Sequence, residues 1–92
     1  VSEVDIPFTQ YLRPNGRKVG VTIARPVEIA TLAQKFIATG GWFECEHLQT
    51  GHVSLTACMI VDGEPQDVLC ELVENGPDVP PAVDRLVRAT RR

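Results

Sequence analysis

One stretch of helical periodicity, set between segments that alternate with period two, limits what this chain can fold into more than any other feature. After Arg25, Pro26 suits a first helical position and Glu28 sits favourably in the first turn. Ile29, Leu32, Ala33, Phe36 and Ile37 then recur at helical spacing until Gly40-Gly41 stops them, which predicts one amphipathic helix over 26–39. A lone apolar helix face needs an apolar partner surface, and the alternating segments around it supply a sheet. With 92 residues the chain has room for one modest core, so residues 1–92 are expected to form a single α+β domain.

Val4 to Leu12 places Ile6 and Phe8 on one face, and Pro7, which cannot donate a ladder hydrogen bond, predicts that this first strand lies at a sheet edge. Arg13-Pro14-Asn15-Gly16 is a turn sequence, and the strict alternation of Val19, Val21 and Ile23 beyond it reads as the second arm of a hairpin. Trp42 to Leu48, His52 to Val61 and Asp67 to Glu74 are three further strands, divided by the loops 49–51 and 62–66, and should form an antiparallel meander. With Gly51 left-handed in a three-residue loop, Leu48 pairs with His52, so Phe43, Cys45 and His47 share a face with Val53, Leu55 and Ala57. Continued onward, the same register puts Met59, Val61, Val68, Cys70 and Leu72 on that inner face.

Residues 75–81, rich in Gly and Pro, read as loop, and 82–90, with Val83, Leu86 and Val87, as a short closing helix. The expected order is ββαβββα: a five-stranded, mostly antiparallel sheet with the main helix packed on one face. The strand order between hairpin and meander stays open. Val21, Ile23, Leu32, Phe36, Leu55, Cys70 and Leu72 are the expected core. The opposite face carries Trp42, Leu48, Ile60, Leu69 and Val73 among Glu44, Glu46, Asp67 and Glu71, which is apolar enough to call for a cover: the closing helix or another chain.

Charge is split by sign along the chain. The formal net charge is −3, yet no Lys or Arg occurs from Phe36 to Asp84, while Glu44, Glu46, Asp62, Glu64, Asp67, Glu71, Glu74, Asp78 and Asp84 all do. Bases flank this block: Arg13, Arg17, Lys18, Arg25 and Lys35 before it, Arg85, Arg88, Arg91 and Arg92 after it. A solvated sheet face with a helix whose C-terminal arginines suit its dipole accounts for such a pattern, and so does an acidic binding surface.

Motifs of catalysis and cofactor binding are missing at the spacings their chemistry needs. Cys45-Glu46-His47, with Cys58 and Cys70, suggests zinc, but the register puts Cys45 and Cys70 on the inner face and Cys58 on the outer, with no CxxC or HxxxH spacing to hold a tetrahedron. No metal and no cofactor are expected, and the cysteines read as reduced thiols. His52, Ser54 and Glu46 come together on the outer face, yet a flat strand gives them neither an exposing turn nor oxyanion donors. Glu44 and Glu46 flank no groove. Gly40-Gly41 follows a helix instead of preceding one, the wrong end for a phosphate. A non-enzymatic protein is expected. Residues 26–92 share the αβββα order of double-stranded RNA-binding domains, but 79–84, where such domains carry lysines, has no base.

The run Ile6-Pro7-Phe8-Thr9-Gln10-Tyr11-Leu12-Arg13-Pro14-Asn15-Gly16-Arg17, with Phe43-Glu44-Cys45-Glu46, Thr50-Gly51-His52-Val53-Ser54-Leu55-Thr56 and the segment Asn75-Gly76-Pro77 to Val87, resembles a family of small uncharacterised bacteriophage and prophage accessory proteins. The resemblance implies a compact protein that acts by binding, or inhibiting, a host or phage protein in the host cytoplasm, and brings no site residues with it. The expected function is therefore a protein-interaction module using an acidic sheet face at Trp42, Glu44, Glu46, Asp67 and Glu71, with a second copy of the chain as a further possible partner. The alternative is a weak nucleic-acid binder using the basic turn Arg13 to Lys18 and the C-terminal arginines. No segment is long and apolar enough to suggest a membrane span, and no secretory signal opens the chain, which gives an intracellular expectation.

Overall fold

A computed structural model describes residues 2–12 and 17–91. Its elements are β1 (Glu3–Leu12), β2 (Arg17–Pro26), α1 (Val27–Ala38), β3 (Trp42–His47), β4 (His52–Val61), β5 (Glu64–Glu74) and α2 (Val79–Ala89), the order expected from the sequence. The strands form one sheet in the order β2-β1-β3-β4-β5. β1 with β2, β3 with β4, and β4 with β5 are antiparallel. β1 and β3 run parallel, so the sheet is mixed.

The first strand is not at an edge. β1 lies between β2 and β3, and the edges are β2 and β5. Pro7 constrains one residue, not the whole strand: it faces Thr22 of β2, while the pairing with β3 is confined to Thr9 and Gln10, opposite Glu44 and Cys45. At Pro7 the strand is therefore bonded on one side only, and a missing N–H is tolerated there as it would be at an edge. The turn at Arg13 to Gly16 lies outside the described residues; the hairpin it closes is shown by Leu12 facing Arg17.

Both helices pack on the same side of the sheet. α1 lies over β1 and β2, α2 over β4, β5 and β2, and the two touch each other. One continuous core joins Ile6, Phe8, Phe43, Cys45, Val53, Leu55 and Ala57 of the strands to Ile29, Ala33 and Phe36 of α1 and to Ala82, Val83, Leu86 and Val87 of α2. The closing helix thus does not cover the opposite face, and it begins at Val79, earlier than the expected residue 82. Proline cannot continue a helix but suits its first turn, which lets Pro80 and Pro81 stand at the start of α2. Phe36, Phe43 and Phe8 stack in sequence with centroids 5.2 and 5.4 Å apart. Gly41 makes that stack possible, since a Cβ there would meet the Phe36 ring at 2.5 Å.

Arg25 on β2 fastens α2 to the sheet. Its Nε and Nη2 donate to the two carboxylate oxygens of Asp84 at 2.8 and 2.7 Å. The hydrogen bonds it donates to Asp84 hold the guanidinium pKa above its ordinary value, against the burial that would lower it.

The β3–β4 register is the expected one, with Cys45 facing Leu55, Glu46 facing Ser54 and His47 facing Val53, and with Gly51 left-handed at φ +88°. The fifth strand departs from expectation. Asp62-Gly63 forms a two-residue turn with both residues at positive φ, 52° and 81°, so β5 starts at Glu64 and no five-residue loop exists. A bulge then intervenes: Cys58 faces Asp67 but Ala57 faces Leu69, leaving Val68 as an extra residue. One extra residue turns every later side chain to the other face. Leu69, Glu71 and Val73 consequently lie on the helix side, while Cys70 and Leu72, expected in the core, are exposed. Of the remaining expected core, Phe36 and Leu55 are buried, and Val21, Ile23 and Leu32 are partly buried against the cluster.

Candidate functional site

The sheet face turned away from the helices has no described element over it. Its middle is built by strand alternation: Trp42, Glu44 and Glu46 from β3, Ser54, Thr56 and Cys58 from β4, Asp67 and Cys70 from β5. Four of the five residues expected to form the interaction surface, Trp42, Glu44, Glu46 and Asp67, are on this face. Glu71 is not. The bulge sends it to the helix side, where Arg85 of α2 donates Nε and Nη2 to its Oε1 at 3.0 and 2.9 Å.

Glu44, Glu46, Ser54, Thr56, Asp67 and Cys70 line a shallow depression of about 190 Å³. Cys58 lies at its side, opposite Trp42 in the β3–β4 ladder, and is only 1 % exposed although no helix covers it. Its thiol donates to Glu44 Oε2 at 3.0 Å and lies 3.4 Å from Asp67 Oδ1. A thiol has one proton, so the two carboxylates share it. Burial first, then these two acids, push the Cys58 thiol pKa well above the usual thiol range, since each disfavours a thiolate.

Glu44, Cys58 and Asp67 offer ligand atoms within 4.8 Å of one another, the grouping that could hold a metal ion among the described residues. The neighbouring carboxylates favour the protonated thiol, and one shared hydrogen bond accounts for the geometry, whereas a cation there would favour the thiolate. The three-cysteine set considered from the sequence does not assemble. Cys45 is buried on the helix side, its pKa raised by that burial, whereas Cys58 and Cys70 are on the open side. Cys70 had been expected inside; its Sγ instead contacts Ser54 Oγ at 3.7 Å and Thr56 Oγ1 at 3.9 Å.

The triad-like residues are not linked as a triad: His52 Nδ1 bonds Thr50 Oγ1 at 2.9 Å, and Ser54 turns to Cys70. His47, on the helix side of β3, meets the amide of Gln10. For the alternative basic surface, Arg13 and Arg92 lie outside the described residues, while Arg85 and Arg88 turn to Glu71 and Glu28. Sequence reasoning did not foresee the Glu44–Cys58–Asp67 contact or the place of Cys70 beside it. The signal for the shorter turn was present in the dipeptide Asp62-Gly63; nothing comparable marked the bulge.

No helix among the described residues is long and apolar enough to cross a membrane. Comparison with protein-family models, with curated proteins and with solved structures finds no match.

Proposed function

We propose that the chain is a non-enzymatic protein-interaction module that docks a basic surface of another protein on the open face of its sheet. The supporting observation is sidedness: both helices lie on one side, and the bare side carries Trp42, opposite Cys58 in the β3–β4 ladder, together with the depression that Glu44, Glu46 and Asp67 line. Interfaces gain most of their energy from a few large side chains, with Trp among the most enriched, while acidic neighbours steer a basic partner and set its orientation. The acidic surround also disfavours a second copy of the chain on the same face, since like charges would meet. The resemblance to phage and prophage accessory proteins supplies a context in which the partner is a host or phage protein in the host cytoplasm.

The test is capture of a partner from the native host, followed by binding kinetics with two variants. Glu46→Lys, with its melting temperature compared with that of the wild type, should slow association and weaken its salt dependence, and Trp42→Ala should raise the dissociation rate. Unchanged rates in both variants would remove the open face as the docking surface. Tight, steeply salt-dependent binding of random duplex or single-stranded nucleic acid, unaffected by either variant, would favour the basic turn and C-terminal arginines instead.

A further inference from the structure

On the helix side of the sheet, the bases are not all used alike. Arg25, Arg85 and Arg88 each face a carboxylate, at 2.7, 2.9 and 3.7 Å. Lys35 and Arg91 have no such partner among the described residues. Both line one cavity of about 560 Å³, between the C-terminal ends of α1 and α2 and the turn end of the β4–β5 hairpin. The helices stop at Ala38 and Ala89 while β4 and β5 run on to the Asp62-Gly63 turn, and the bulge at Val68 falls where they part. A hollow therefore remains under the hairpin end.

Its walls are apolar: Leu32, Phe36, Met59, Val68 and Leu69. Among the described residues no carboxylate side chain lines it. Thr39 and Thr90 each donate a hydroxyl back to a helix carbonyl at 2.6 Å, which leaves the two bases as the unengaged polar side chains among the described lining residues. Bases near helix C-termini suit the helix dipole, and that accounts for Lys35 and Arg91 singly. It does not account for an apolar hollow between them. The volume lies within the range of small-molecule sites, which pair an apolar wall with a few placed polar groups.

We infer that this cavity binds a small organic acid with an apolar body, its carboxylate held by Lys35 and Arg91 and its hydrocarbon part set against Leu32, Phe36, Met59, Val68 and Leu69. Charge complementarity selects this occupant. An apolar segment of a second chain would bury two cations without partners, at a desolvation cost, whereas a carboxylate neutralises them and can accept from the Arg91 fork in bidentate fashion.

The inference stands apart from the docking face and is tested with decanoate and decan-1-ol, by calorimetry and by methyl NMR shifts at Met59 and Leu69. Decanoate should bind saturably at one site, and about tenfold more tightly than the alcohol. Lys35 and Arg91 are exposed, so the double variant Lys35→Gln, Arg91→Gln should keep the wild-type melting temperature while losing the preference for the acid and retaining the affinity for the alcohol. Equal affinity of the wild-type protein for acid and alcohol would overturn the inference, as would shifts centred away from the cavity or a titration that never saturates.

Discussion

The two faces of one sheet differ in what holds their side chains in place. On the helix side, burial is nearly complete: Ile6, Phe8, Val53, Leu55 and Ala57 are all at 1 % exposure or less, and two helices meet them in one core. On the open side, order comes from polar contacts between neighbouring strands, chiefly Cys58 with Glu44 and Asp67. Apolar burial is non-directional and scales with area, whereas a shared proton depends on geometry and on pH. Substitutions on the first face should therefore move stability, and those on the second should move binding and pH response.

The sharpest way to break that contrast is Leu55→Ala. The residue is fully buried in the core between sheet and helices, so its loss should cost about 2 to 5 kcal/mol in chemical denaturation, with an unchanged denaturant slope. A cost near that of a surface substitution would mean that the core does not run beneath the helices as described.

The ion pairs of α2 sharpen it next. Arg25 and Asp84 are 19 % and 18 % exposed and doubly bonded, while Arg85 and Glu71 are 55 % and 30 % exposed. Arg25→Ala should cost about 1.5 to 3 kcal/mol, because it strands a shielded carboxylate, and Arg85→Ala no more than about 1 kcal/mol. Equal costs in the two variants would show that Arg25 does not fasten the helix.

The thiol on the open side should then show itself through pH. In the unfolded chain Cys58 ionises near pH 8.5, while the fold keeps it protonated to higher pH, so above that value the native state binds the extra proton. Stability contributed by this group is present below pH 8.5 and declines as pH rises, by about 1.4 kcal/mol per pH unit until the folded thiol itself titrates. Ser donates a similar hydrogen bond without ionising in this range, so Cys58→Ser should lose less stability than the wild type between pH 8 and 10. Parallel curves would mean that the thiol is not held between the two acids.

How much of this was legible follows from where local pattern decides. The helix at Val27–Ala38 is set by its own periodicity and by Gly40-Gly41, and the β3–β4 register by the Gly51 loop, so both could be read directly. β5 could not. In Val68-Leu69-Cys70-Glu71-Leu72-Val73-Glu74 both alternating sets mix apolar residues with acid, so the pattern does not select a face. The choice is made by distant partners, Arg85 reaching Glu71 and the core receiving Leu69 and Val73. The position of β1 depends likewise on a parallel pairing with β3 that no residue of β1 announces. Of the candidate site, the β3 residues were legible and the β5 residues beside them only in part: Asp67 precedes the bulge and was placed rightly, Glu71 follows it and was not.

The bulge itself yields the smallest expected effect and the most direct check on that account. Leu72 is 59 % exposed on the open face, so Leu72→Ser should shift stability by no more than about 0.5 kcal/mol. Without the extra residue at Val68, Leu72 would face the helices, and the same change would place a hydroxyl in the core at a cost approaching that of Leu55→Ala. Thiol labelling gives a second reading of the same register. Cys70 is exposed, and Cys45 and Cys58 are buried, so the native protein should label quickly at one cysteine and at the other two only on unfolding. A protected Cys70 together with a costly Leu72→Ser would place both on the helix side, and the depression between Glu46 and Asp67 would lose a wall.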